Sequence, residues 1–394
     1  MLEAPGHRVE RPSRHHQHMT SADSAGSRVG RPAGLIPRRT CLTVPGSSER
    51  FLAKSAGLAA DELIFDLEDA VAPAAKRHAR SLVTNAIAAF QPRDEAVPLP
   101  TRPPTAPLTT GPLTTGPLAT GPLAMGPLTT GPVLAVRVNG ALTEWAFRDV
   151  IDVVAGAGAR LDAIVLPKVS DPAHVAWLDL LLGQLERAEG LPAGGIAIEA
   201  QIEDAAGLAA VREVSVASGR LAALIFGPAD FMASVGMRSL RIGAQPDGYT
   251  GGDAFHYPLM QILIAARAAG LQAIDGPYAA IGDSEGLKSA AASAAALGYD
   301  GKWVVHPSQI EPVNAAFSPG QQEFDRALGI LDAYEHATSE GSQGASDAGR
   351  SPRTPQGAVM HGGEMIDEAS RKLALAVVAR GRAAGLRGEF RDRD

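Results

Sequence analysis

A single cysteine, Cys41, stands among 394 residues, so neither an intramolecular disulfide nor a cysteine-built metal centre is open to this chain. It lies in the apolar run Cys41-Leu42-Thr43-Val44 with no histidine near it in sequence, the setting of a buried, inert thiol. Aromatic residues are scarce, at 5%. No stretch of about 18 or more apolar residues escapes interruption by charge or turn residues, so no membrane-spanning helix is read. Basic residues are outnumbered, 36 against 43, and the formal charge of −7 argues against nucleic acid as the main partner. No Gly-rich fingerprint of the dinucleotide or P-loop kind is present. The Arg-rich start is broken by Pro5, Pro12, Pro32 and Pro37 and has no apolar segment of its own. A secretory signal and a membrane partner are therefore not expected, and the expected location is cytoplasmic.

What the chain has in quantity is hydrophobic residues, 45%, together with 43 Gly and 29 Pro, so a large core coexists with segments outside it. Residues 1–37 are polar and aperiodic and read as a disordered tail, in which His15, His16 and His18 lack a framework to hold a metal. Within 92–132, Gly-Pro pairs recur every five residues from Gly111-Pro112 to Gly131-Pro132. This repeat offers too few apolar groups to offset its ordering entropy, and collagen would need Gly every third residue, so it reads as a flexible insertion. Residues 338–356, rich in Ser, Gly and Asp, read as a further linker. The domain reading is a barrel over 38–319 and a C-terminal helical extension or lid over 320–394.

With those segments set aside, short β-type runs appear at 41–44, 63–67, 133–138, 163–166, 196–202, 222–226, 272–275 and 302–305. Ala/Leu-rich stretches of helical spacing lie between them, among them Ala173–Ala188, Gly207–Ser218 and Pro258–Ala269. The runs at 163–166 and 222–226 are continuously apolar, as strands buried on both faces are. Eight strands alternating with helices predict a TIM (β/α)8 barrel; a doubly wound open sheet is the competitor, because periodicity does not establish closure.

Polar residues gather at the C-terminal ends of these strands: Glu68 and Asp69, Arg137 and Asn139, Lys168, Glu203 and Asp204, Asp230, Asp275, and His306. In a closed barrel they converge on one mouth. Taken singly, Asp69 or Asp204 is equally read as a helix cap. Glu203 and Asp230, two carboxylates on adjacent strands with no His or Cys nearby, suit a hard oxygen-loving cation, Mg2+ or Mn2+. Such an ion would chelate an α-keto or α-hydroxy acid. Arg137 supplies a fork of donors for a carboxylate or enolate oxygen, or pairs with Glu68 or Asp69, or does both. His306, in Val305-His306-Pro307-Ser308, is read as fixing a loop rather than moving protons.

The segments RRTCLTVPGSSERFLAKS (38–55), DELIFDLEDAVAP (61–73), VLAVRVNG (133–140), LDAIVLPKV (161–169), IEDAAGL (202–208), LIFGPADF (224–231), LQAIDGPY (271–278) and LGYDGKWVVHPSQIEPVNAAFSP (297–319) follow one another in order. Together they resemble the citrate lyase β-subunit-like members of the HpcH/HpaI aldolase superfamily, which include malyl-CoA and citramalyl-CoA lyases. The resemblance implies a TIM barrel with Mg2+ on Glu203 and Asp230, and Arg137 binding the substrate's carboxylate or acyl oxygen. It implies that Glu68 and Asp69 order metal-bound water and Arg137, and that Arg39 and Lys54 belong to the region contacting coenzyme A. Gly363-Glu364-Met365-Ile366-Asp367 resembles the lid motif of malyl-CoA-lyase-like members, in which the matching Asp367 handles the acetyl proton in a neighbouring subunit's site. Trimers or hexamers are implied with it.

Three departures stand out: Glu368 where the family's lid has proline, IEDAAG for the commoner IETxxG, and the Gly-Pro insertion. The expected function is Mg-dependent carbon–carbon lyase chemistry on a small 3-hydroxy-carboxyacyl-CoA of malyl, citramalyl or citryl type. The competing readings are a malyl-CoA thioesterase or malate-synthase-like enzyme, a lyase subunit acting on an acyl-carrier protein, and a non-catalytic binding barrel.

Overall fold

The computed structural model describes residues 37–90, 131–343 and 358–388. The tail at 1–36 and the Gly-Pro repeat up to residue 130 lie outside the described residues, as does the part of the linker from 344 to 356.

The eight β-type runs form eight strands: β1 (Thr40–Pro45), β2 (Glu62–Asp66), β3 (Val133–Arg137), β4 (Ala163–Leu166), β5 (Ala197–Ile202), β6 (Leu221–Phe226), β7 (Gln272–Asp275) and β8 (Gly301–Val304). They pair in parallel in chain order, and β1 also pairs with β8, so the sheet closes into a barrel and the open-sheet alternative falls away. The period-2 geometry of a strand then divides the apolar residues into two layers. Leu42, Val44, Leu63, Phe65, Ile164 and Leu224 face outward into the layer beneath the helices. Cys41, Ile64, Ala135, Val165, Ile225 and Trp303 form a separate cluster inside the barrel.

The surrounding helices are α1 (Glu49–Ser55), α2 (Lys76–Ala88), α3 (Ala146–Ala157), α4 (Pro172–Ala188), α5 (Ala205–Ala209), α6 (Val211–Val214), α7 (Pro228–Ser234), α8 (His256–Ala269), α9 (Ser284–Leu297) and α10 (Ile310–Ala316). Local signals set their ends. Asp171 caps α4 by accepting from the Ala173 N–H with Pro172 behind it, and Asp283 caps α9, which stops at left-handed Gly298. The helix read over Gly207–Ser218 is instead two short pieces, α5 and α6, parted at Ala210.

The barrel floor is ionic. Arg38, just before β1, is fully buried and donates from Nε and Nη2 to Glu62 Oε2 at 3.0 and 2.8 Å and from Nη1 to Gln272. Its Nη2 also pairs with Glu199. Burial, followed by the partly opposed charges of Arg38 and Glu62, pushes the Glu199 carboxyl upward. A carboxyl raised on folding holds a proton that the unfolded chain has released, so its contribution to stability is full below the unfolded value and falls as pH rises toward the folded one. Glu199→Gln abolishes this titration. Its thermal midpoint relative to the parent should therefore climb between pH 5 and pH 8; a difference that stays flat with pH would contradict the assignment.

After α10 the chain forms α11 (Gln321–Gln343), the antiparallel pair β9 (Ala358–His361) and β10 (Glu364–Asp367), and α12 (Glu368–Ala383). Helix α11 continues through 338–343, the first residues of the segment read as a linker. Phe324 and Ala327 of α11 pack against Ala374 and Val378 of α12. The far end of α12 brings Arg380 and Ala383 to a small cleft beside Arg38, Arg39 and Asp300 at the barrel floor.

Candidate active site

The strand ends surround a cavity of about 340 Å³, lined by Thr43, Asp66, Asp69, Arg137, Gln201, Glu203, Gly227, Asp230 and Trp303 among others. Of the residues singled out from the sequence, Arg137, Glu203, Asp230 and Asp69 line it directly, and Glu68 is buried against Arg137. A larger cleft of about 430 Å³ adjoins it across Pro228 and Pro277. Asp275 belongs to that second cleft, where its carboxylate is taken by the buried Lys302 at 2.5 Å.

The partner of Arg137 is Asp66, a residue the sequence reading did not single out. β2 and β3 place the two opposite each other in register, both turned inward. Nε and Nη2 of Arg137 donate to the two oxygens of Asp66 at 2.8 and 2.7 Å, and Nη1 pairs with Glu68 Oε2 at 3.1 Å. Three of the five donors of the guanidinium are thus committed, and the fork is locked over the Trp303 ring at 5.2 Å. Burial opposes the Asp66 charge, yet Arg137 and the N–H groups of Glu68 and Ala70 hold its carboxyl below the usual aspartate range. Burial raises Glu68, with Arg137 and Lys168 opposing. The turn carrying Glu68 is pinned from behind: Lys76 Nζ and Asn139 Nδ2 donate to the carbonyl of Leu67, and Lys76 also to that of Glu68.

Glu203 follows β5 and Asp230 lies in the first turn of α7 after β6. Gln201 Nε2 donates to Glu203 Oε2 at 2.7 Å and the Lys168 N–H to Oε1 at 2.5 Å, so both oxygens have a fixed direction. Burial, then the charge of Glu68, pushes the Glu203 carboxyl up to about 8. Lys168 is a second residue whose role the sequence left open. Its ammonium pairs with Glu68, with Asp69 at 3.5 Å and with Asp230 at 3.3 Å. Burial works against that charge, but the hydrogen bond and charge of Glu68, with Glu203 and Asp69, hold it above the ordinary lysine range.

A divalent cation fits this donor set. The carboxylates offer oxygen only, and among the described residues no group of three or more His, Cys, Asp or Glu forms a closed ligand cage. Two protein oxygens with the other positions left to water or substrate is the pattern of Mg2+ rather than of a structural metal. Gly227 keeps the space beside Glu203 open: a Cβ there would stand 2.4 Å from Glu203 Cβ and 2.6 Å from Oε2.

Several candidates take other places. Asp204 caps α5, accepting from the Gly207 N–H at 2.5 Å, so the acidic residue in IEDAAG performs the capping that a threonine also performs. His306 Nδ1 accepts from the Ser308 N–H, as a loop-fixing residue should. The structure does not bring Arg39 to the mouth: it precedes β1, at the opposite end of the barrel, where its guanidinium is bidentate to Asp61 and donates to Ser318. Lys54 is exposed in the last turn of α1 and is not among the residues lining the cavity. Asp367 is apart as well. It caps α12, accepting from the N–H and hydroxyl of Ser370 at 3.0 and 3.1 Å. Glu368, where the resembling lids have proline, is the first residue of α12 and pairs with Arg371, so the acidic start suits the helix dipole.

Known proteins resemble this chain over most of its length. A model of the HpcH/HpaI aldolase/citrate lyase family matches residues 39–106 and 127–307. An L-malyl-CoA/beta-methylmalyl-CoA lyase of Cereibacter sphaeroides is 33% identical over 359 residues, which cover 89% of this chain and 96% of the relative. A (3S)-malyl-CoA thioesterase of the same species is 34% identical over 305 residues, or 77% and 86% of the two chains. Among solved structures, protein CitE from Mycobacterium tuberculosis, in complex with magnesium, acetoacetate and coenzyme A, aligns with a TM-score of 0.59 at 26% identity. That alignment covers 89% of this chain and 99% of the other.

Proposed function

Because the chain belongs to the HpcH/HpaI aldolase/citrate lyase family, we propose that it is a Mg-dependent carbon–carbon lyase acting on a short 3-hydroxy-3-carboxyacyl-CoA of malyl or citramalyl type. The observation that carries this reading is one cavity in which Glu203 and Asp230 share space with Arg137. A divalent cation on that pair would act as a Lewis acid toward the hydroxyl and carboxylate beside the scissile bond. Arg137, held by Asp66 and Glu68, offers its uncommitted N–H donors to the thioester oxygen, where negative charge grows as the C2–C3 bond breaks. The C3 hydroxyl loses its proton and C3 becomes the carbonyl of an α-keto acid. The bonding pair passes to C2 as a thioester enolate, and one proton returned to C2 completes acetyl-CoA.

We assign that proton to Asp367 of a neighbouring copy, which makes the active form a homo-oligomer, a trimer or hexamer, working in the cytoplasm. No helix among the described residues is long and apolar enough to cross a membrane. Lys54 is the exposed cation we assign to the phosphates of coenzyme A; Arg39, spent on Asp61, has no such role in this reading.

The test is cleavage of malyl-CoA and citramalyl-CoA by the purified chain, with Mg2+ and with chelator, resolving acetyl-CoA from free CoA. Metal-dependent acetyl-CoA is expected. Release of free CoA would favour hydrolysis, the activity named for the thioesterase relative. Inertness toward both substrates would sink the CoA assignment. Gly227→Ala probes the cation site: its Cβ must displace Glu203 or Gln201. Displacement of about 1 Å at a reacting centre commonly costs about 100-fold. We expect a folded protein with turnover lowered by about that factor.

A further inference from the structure

Lys168 touches both members of the candidate cation pair, one through its backbone and the other through its side chain. Its N–H is donated to Glu203, and its ammonium meets Asp230, Asp69 and Glu68. It is also the one non-glycine residue among those described with a positive φ, at 54°. Glycine or asparagine adopts that conformation readily, whereas a long side chain resists it, and strain of this kind persists only where the surroundings impose it.

The charges explain what the arrangement does. Glu68, Asp69, Glu203 and Asp230 are four carboxylates at one rim, and left alone they repel one another. Arg137 is committed to Asp66 and Glu68 and has little room to move, with its side chain 11% exposed. Lys168 differs on both counts. Its ammonium carries three donors, matched here to three carboxylates, and it sits on a flexible stem that is 43% exposed. A dication bound by Glu203 and Asp230 and an ammonium 3.3 Å from Asp230 claim the same negative charge.

We propose that Lys168 is a positioning residue, a tethered cation that holds the carboxylates of the mouth together before the divalent ion binds and swings toward solvent when it does. The inference rests on the reading of Glu203 and Asp230 as the cation pair. Lys168 then lowers the intrinsic affinity for the ion while keeping the cradle assembled for it, and it makes metal binding and the position of one side chain a single event.

The experiment is a Mn2+ titration of the full chain, followed by the EPR signal of free Mn2+, together with thermal midpoints in excess chelator. Lys168→Met removes the ammonium and keeps the backbone demand; Lys168→Gly removes both. A merely structural lysine would weaken metal binding when lost. The expected result is the reverse: a Mn2+ dissociation constant at least about tenfold smaller in both variants, accompanied in Lys168→Met by a lower midpoint in chelator. Unchanged or weaker Mn2+ binding in the variants, with the parent binding normally, overturns the role of Lys168 and leaves the cation pair standing. A parent that binds no Mn2+ overturns the cation pair itself, and this inference with it.

Discussion

Arg137→Lys should cut turnover of the acyl-CoA substrate about 100- to 1000-fold, the span typical of losing one oxyanion donor, with the chain still folded. The reason is geometric rather than one of charge. The guanidinium engages both oxygens of Asp66 and one of Glu68 while stacked over Trp303, and only a planar fork does this with donors to spare. An ammonium at the same place satisfies Asp66 as a point charge and has nothing directed at the substrate oxygen. Arg137→Met separates the two roles, because Asp66 is then a buried carboxylate without its partner. Stripping a buried ion pair of one member typically costs about 3–5 kcal/mol, so the methionine variant should lose stability as well as activity. Chemical denaturation beside kcat tells the cases apart. Near-parental kcat in Arg137→Lys would remove Arg137 from the chemistry and leave it as a barrel brace.

The barrel was readable because the physics that builds it repeats eight times. A strand buried on both faces is mostly apolar for four to six residues, and polar residues then appear where the chain meets the mouth, as LIFDLED and AIVLPK show. That Glu203 and Asp230 meet at one cavity was readable for the same reason, since both follow the ends of buried strands. Asp66 was not, because it is the last residue of its own strand and reads as part of the apolar run; only inward parity with Ile64, and register with Arg137, mark it out. Lys168 is named by its position after β4, but its left-handed backbone and the three carboxylates around its ammonium arise from loops distant in sequence. Arg39 shows the opposite case. It lies within a segment of strong resemblance, yet a residue before a parallel strand enters at the floor while the chemistry is at the exit, so strand polarity alone separates Arg39 from Glu68. The break at Ala210, by contrast, has no proline or glycine to announce it.

Asp367→Asn should be nearly inactive alone, yet activity should reappear when it is mixed with Arg137→Lys. Asp367 is the one proposed catalytic group that its own chain holds away from the mouth, at the start of a helix whose other end meets the barrel floor. Hydrogen bonds from Ser370 hold its carboxyl below the usual range, which suits a base for the acetyl methyl in the condensation direction; in cleavage the same carboxylate must first take up the proton that it returns to C2. Beside it, Met360 and Met365 are cross-strand neighbours on the β9–β10 pair and lie 69% and 68% exposed, an apolar face suited to docking on a second copy. Losing a general acid or base typically costs about 100- to 10,000-fold, and Asp367→Asn should show a loss of that order. In a mixed oligomer, however, an intact mouth from the Asp367→Asn chain can meet an intact Asp367 from the Arg137→Lys chain. Random assembly of equal amounts makes about one site in four complete, far above either variant alone. Denaturing and refolding the two together, against each refolded separately, provides the comparison. No recovery in mixtures proven by mass to contain both chains would place the proton transfer within one chain or on another residue.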